Sequence, residues 1–377
     1  MPGGSLASRM LTAASEQSAR AWLAAALRDG CLPADAGLQD VGQLLDAAAN
    51  EGVVALLESR LRGGPDWGAL PAALREGLAD GARAAAAQWL LRERELRRIA
   101  EVFAHANIRV LVLKGSALAL WLYPQPYLRM GGDIDLLFES RGEAERAAQA
   151  LKALGYALAF APAETHFEMT SRLVVDGVMR SELDLHYRLL NSAAYADIFG
   201  FDELWQEAST QQATGEWLRT LAPLHAWIHA CLNRALDLQN RIPDRLKLLY
   251  DIRLFAARSG RPQWETLCDL AQAKHIAGPC LHSLEDAMQW LDADVPTDVL
   301  ARMRGLAEVE AIDYRRLGDW RYMQWQNLKS LPTLSARMQW VRERLLPGTH
   351  QLRELHGEGG WWTLMMRRIG RGLARLR

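Results

Sequence analysis

The sequence predicts an α+β fold: a mixed sheet with helices on one face, flanked by helical regions at its N- and C-terminal sides. Three observations lead there. From Glu16 to Ala106 the chain is rich in Ala, Leu, Arg and Glu at helical spacing. At Ile108 it changes to short apolar runs separated by Gly and Pro, in the order strand, helix, strand, helix, then several strands. From Phe201 onward the helical pattern returns. The expected division is a helical region over 1–106, a core over 107–195 and a helical domain over 196–377.

Along the N-terminal region, 16–28, 38–62 and 70–105 read as helices, punctuated by Gly30, Pro33, Gly63-Gly64-Pro65 and Pro71. Ala85, Trp89, Leu96, Ile99 and Phe103 recur at helical spacing and form an expected buried stripe. In the core, 108–113 and 133–138 read as strands and 116–122 and 142–154 as helices. Further strands are expected at 156–160, 166–173 and 178–189, with Asp176-Gly177 as a hairpin turn. Beyond it, 222–238, 242–258, 263–274, 279–292 and 296–327 read as helices.

Bulk properties narrow the function. With 377 residues there is room for two or three domains, and 50% hydrophobic with 24% charged residues argues against disorder. A net charge of -1 gives no general attraction for nucleic acid. The four cysteines are scattered without metal-ligand spacing, which favours reduced thiols in a cytoplasmic protein. No apolar run approaches the roughly 20 residues of a spanning helix, so peripheral attachment to a membrane face is the closest expected approach to lipid.

Three stretches carry chemistry. In Gly132-Asp133-Ile134-Asp135-Leu136-Leu137, strand alternation puts Asp133 and Asp135 on one face and the apolar residues on the other. Neighbouring carboxylates repel, and a divalent cation resolves the repulsion; a solvated strand edge is the alternative. In Ser181-Glu182-Leu183-Asp184-Leu185-His186, Glu182, Asp184 and His186 share one face. A third carboxylate beside the first two would complete a two-metal site, whereas an edge strand with a wet outer face would need none. Lys114-Gly115-Ser116 joins the first strand to its helix, where a helix N-terminus, a glycine and a lysine suit a phosphate.

Taken together, these residues resemble the signature of the DNA polymerase β-type nucleotidyltransferase superfamily. More narrowly, Leu113-Lys114-Gly115, Arg129 four residues before Asp133, Asp133-Ile134-Asp135-Leu136-Leu137 and Asp184-Leu185-His186 are similar to a bacterial family of uncharacterised nucleotidyltransferases. The motifs cover 108–190, with weaker similarity to residue 290. That family more usually has Glu where Asp184 stands, and Glu182 is the alternative third carboxylate.

The resemblance implies an enzyme with a polymerase β-like core. It would move a nucleoside monophosphate from an NTP, ATP by default, to a hydroxyl of an unidentified acceptor. Two Mg²⁺ ions, or Mn²⁺ in their place, would sit at Asp133, Asp135 and Asp184, with Lys114, Gly115, Ser116 and Arg129 on the nucleotide, pairing of Arg129 with Asp133 or a nearby Glu being the alternative. His166, His186 and His229 are supporting candidates; His225, His229 and Asn233 share one helix face, and Asp251 either pairs with Lys247 or closes the site. A non-catalytic nucleotide- or partner-binding protein and a toxin-like transferase acting on tRNA or protein are the rival readings. The segment 361–377 mixes tryptophan with arginine and lacks acids, which fits a final helix docked on the C-terminal domain with a solvated basic face, weak contact with a membrane surface or, less well, a nucleic-acid arm.

Overall fold

A computed structural model describes residues 6–31, 40–159, 167–210 and 218–374. Four helices precede the sheet: α1 (Leu6–Asp29), α2 (Val41–Glu51), α3 (Val54–Arg62) and the long α4 (Ala72–His105). The stretch 38–62 is two helices rather than one because Gly52 adopts φ 70°, a left-handed conformation that ends α2. All five residues of the expected α4 stripe are buried.

Next come β1 (Leu111–Val112), α5 (Lys114–Trp121), β2 (Ile134–Leu137), α6 (Arg141–Leu151), β3 (Ala157–Leu158), β4 (Glu168–Val175) and β5 (Val178–His186). Asp176 and Gly177, both at positive φ, turn β4 back into β5. After α7 (Phe201–Glu207), two short strands, β6 (Ser209–Thr210) and β7 (Arg219–Thr220), extend the sheet. Its seven strands run in the order β3-β4-β5-β2-β1-β7-β6. The β2–β5 and β1–β7 pairings are parallel and the others antiparallel.

Alternation along the central strands sorts their side chains between two cores. Val110, Val112, Ile134, Leu136 and Phe138 pack with Leu96, Ile99 and Phe103 of α4 and with α6. Leu111, Leu113 and Leu137 point the other way, into a core shared with the N- and C-terminal helices. The first strand is apolar on both sides, so it is covered on both sides. Helices therefore cover one sheet face broadly and reach the second face at β1.

The remaining helices are α8 (Pro223–Gln239), α9 (Leu246–Arg258), α10 (Arg261–Lys274), α11 (Ala277–Leu291), α12 (Thr297–Ala307), α13 (Trp320–Ser330), α14 (Leu334–Leu345), α15 (Thr349–His356) and α16 (Trp361–Ala374). The expected helix 296–327 is divided into α12 and α13. Asp319 begins the second by accepting a hydrogen bond from the Tyr322 amide at 3.1 Å.

Candidate active site

Asp135 of β2 and Asp184 of β5 are direct partners across the parallel ladder. Their side chains consequently share a face, the one turned away from α4 and α6. Asp133 precedes β2, half-buried at the mouth of the same strand. Asp135 is buried, and its Oδ1 receives the Lys114 ammonium at 2.5 Å and approaches His186 Nε2 at 3.0 Å. The other ring nitrogen of His186 lies 3.2 Å from Glu168 Oε2. Thr170 donates its hydroxyl to Asp184 Oδ1 at 2.8 Å.

These contacts give the two carboxylates opposite electrostatics. Burial alone would push Asp135 upward, but Lys114 and His186 override it and hold the carboxyl well below the usual range. Among the described residues no cation is bonded to the oxygens of Asp184. Burial, with Glu168, Asp135 and Asp133 nearby, pushes it up to about 7 despite His186. Lys114 is raised by the same carboxylates in spite of its burial. Two acids in register, one firmly ionised and one poised near neutrality, form an arrangement suited to proton transfer.

The turn before α5 is tightly built. Lys114 takes φ 50°, uncommon for a residue with a side chain. A Cβ on Gly115 would sit 3.0 Å from Arg129 Nη1, so the close approach of this guanidinium favours glycine. Ser116 is buried and bonded to Arg92 Nη1 at 3.2 Å. Arg92, from α4, also binds the carbonyls of Gly131, Gly132 and Asp133. It thereby ties the Lys-Gly-Ser turn to the loop that delivers Asp133.

Arg129 is engaged beneath this turn. It forms a two-pronged, buried ion pair with Asp251, Nε to Oδ1 at 2.8 Å and Nη2 to Oδ2 at 2.7 Å. Tyr123 donates to the same carboxylate at 2.7 Å. Asp251 thus pairs with Arg129, while Lys247 lies 3.5 Å from the Met130 carbonyl. Glu182 is taken by its cross-strand partner Arg172 at 2.5 Å. His229 and Asn233 line a narrow cavity with Lys114 and Arg129. Burial, then Lys114, pushes His229 down to about 3. His225 faces away, edge-on to Phe199 at 4.9 Å. His166 lies outside the described residues.

Four participants carried no motif: Arg92, Glu168, Thr170 and Asp251 as the partner of Arg129. Thr170 and Glu168 sit opposite Asp184 and His186 in the β4–β5 ladder, so register could have found them once the hairpin turn was placed. Arg92 lies in a charged helical stretch with no local mark of its role.

Asp135, Asp184 and His186 can each offer one ligand atom, all within 4.8 Å of one another. Two carboxylates suit Mg²⁺ or Mn²⁺, and the imidazole suits softer divalent ions. The residues fit a divalent cation.

A mixed sheet that sets two carboxylates in register beside a strand–turn–helix phosphate-type loop is the arrangement of a nucleotidyltransferase-like fold. The chain belongs to the family described as uncharacterised nucleotidyltransferase, which matches residues 38–310. Its fold is similar to a crystal structure of an antigenic nucleotidyltransferase-like protein from Paracoccidioides brasiliensis, at 15% identity and TM-score 0.35, covering 55% of this chain and 95% of that one. No curated protein matches the chain.

Proposed function

We propose that this protein is a metal-dependent nucleotidyltransferase of the polymerase β type, transferring an NMP from an NTP, ATP by default, to an acceptor hydroxyl. The observation that carries this reading is the register pairing of Asp135 with Asp184, with Lys114 seated on the former. Asp133, Asp135 and Asp184 would hold the metal, with His186 steadying Asp135 from behind. Bound there, two Mg²⁺ ions would neutralise the triphosphate and acidify the attacking hydroxyl.

The chain's own residues supply the rest. Lys114 exchanges Asp135 for the incoming triphosphate, and the first-turn amides of α5 and Ser116 cradle it. Arg129 acts from behind, holding Gly115 in place rather than touching phosphate. Asp184 takes the hydroxyl proton as the acceptor oxygen bonds to the α-phosphorus. The bond from that phosphorus to the bridging oxygen breaks, and pyrophosphate leaves with the electron pair. His229, neutral and buried, lines the wall on the α8 side.

The test is a transfer assay with α-labelled NTP, Mg²⁺ and acceptors fractionated from a cell extract. Wild type should label an acceptor and Asp135→Asn should not. Equal labelling by the two would remove the assignment.

A separate reading concerns the C-terminal helix. Trp362, Met366 and Ile369 of α16 lie on one helix face and are exposed, beside Arg367 and Arg371. This pattern favours weak contact with an anionic membrane surface. Among the described residues no helix is long and apolar enough to cross a membrane.

A further inference from the structure

Beside the Gly131–Gly132 loop, α4 and the start of β5 enclose a cleft of about 640 Å³. Its walls include Arg92, Arg94 and Arg98 of α4 and Arg180 of β5. Two acids also line it, and both are neutralised by other partners. Glu95 pairs with Arg98 at 2.8 Å and accepts from Tyr156, while Glu182 pairs with Arg172. Among the described residues Arg94 and Arg180 have no ion pair, and Arg92 is bonded only to carbonyls and Ser116. The cleft is thus left with two guanidinium groups, Arg94 and Arg180, that no acid pairs, beside Arg92, which Asp133 and Asp135 already attract.

Ile134 at the start of β2 and Arg180, Ser181 and Glu182 of β5 line the cleft, so it borders the strands that carry the carboxylates. Gly132 adjoins Asp133, and Glu182 stands two residues before Asp184 on β5. Leu91 and Leu173 add apolar wall. Guanidinium forks match phosphate oxygens in shape and charge. The volume lies in the range of small-molecule pockets, roughly 300–1,000 Å³. A polynucleotide would need a longer basic track than Arg94 and Arg180 provide, and the near-neutral chain offers no long-range pull.

From this we infer that the cleft is the acceptor site and that the acceptor is a small phosphorylated molecule. Arg94 and Arg180 grip its phosphate, and its hydroxyl end reaches past Gly132 to the carboxylates. This rests on the transferase reading, since the cleft's role is defined by the site it opens on. Arg92, bonded to both Ser116 and the Gly132 carbonyl, joins the two substrate positions.

The test uses the full chain with Mg²⁺ and a non-hydrolysable ATP analogue, and ligand-observed NMR titration of ribose 5-phosphate against ribose. Wild type should bind the phosphorylated sugar and not ribose. The Arg94→Ala/Arg180→Ala double variant should bind it at least about tenfold more weakly, the loss expected when a charge-assisted hydrogen bond goes. Both side chains are exposed, so the variant should fold, and unchanged ATP-analogue affinity verifies it. Equal binding by wild type and double variant, or no binding by wild type, overturns the proposal. So does tighter, arginine-dependent binding of a single-stranded 12-mer, which would make a polynucleotide the occupant. If the ATP analogue itself fails to bind wild type, the transferase reading has failed and the acceptor assignment falls with it. If the analogue binds and the sugar phosphate does not, the cleft proposal alone has failed.

Discussion

Asp184 is the in-register neighbour of Asp135 across the β2–β5 ladder, yet the two carboxyls titrate apart because Lys114 and His186 both bond Asp135, while Asp184 feels His186 only at a distance. Asp184 is raised from an ordinary 3.8 to about 7, chiefly by burial. Below 3.8 the folded and unfolded chains both carry the proton. As pH rises towards 7, the unfolded chain releases it while the fold retains it, so folding stability is lost across that window. Above 7 the fold bears an ionised, poorly compensated carboxylate. Asp184→Asn should therefore stabilise the metal-free protein at pH 8 by about 1–2 kcal/mol while stopping transfer. Urea midpoints at pH 5 and pH 8 check this, and a difference between variant and wild type that does not grow with pH would contradict it.

Lys114→Ala should separate two bindings. Loss of the ammonium weakens NTP binding by about tenfold, the cost of one charge-assisted contact. It also frees Asp135 Oδ1, so Mn²⁺ without nucleotide should bind more tightly than to wild type. Calorimetry with each ligand measures both. A parallel loss of Mn²⁺ and NTP would place Lys114 in a merely structural role.

The Arg129–Asp251 pair is buried and two-pronged. Arg129→Ala leaves the aspartate uncompensated and should cost about 3–5 kcal/mol of stability. Thermal unfolding should show the loss in the absence of any nucleotide. Unchanged stability with weakened NTP affinity would instead put Arg129 on the phosphate.

Alternation alone placed Asp184 and Asp135 on compatible faces, because a strand's two-residue period is stated in the sequence. The partners that fix their chemistry were less legible. Glu168 reaches His186 across a hairpin, and Asp251 reaches Arg129 across 122 residues. The first shows only once the hairpin register is placed, and the second leaves no local pattern. The split of 38–62 turned on Gly52 and that of 296–327 on the cap at Asp319. Both are backbone events that apolar periodicity passes over. The short strands β6 and β7 had too few residues to show a period.

Residues 361–377 offer a prediction independent of catalysis. Trp362 and Met366 are among the most exposed apolar side chains of the described residues. The full chain should co-sediment with vesicles containing phosphatidylserine more than a chain ending at Gly360, and added salt should erase the difference. Equal partitioning would dismiss membrane contact.

The most direct test of the central claim is calorimetric titration of ATP into wild type, Asp133→Asn and Asp135→Asn, each with and without Mg²⁺. The account predicts Mg²⁺-dependent binding to wild type and its loss in Asp135→Asn, whose carboxylate lies at the centre of the acidic group. Full Mg²⁺-dependent binding by both variants, or none by wild type, would contradict it.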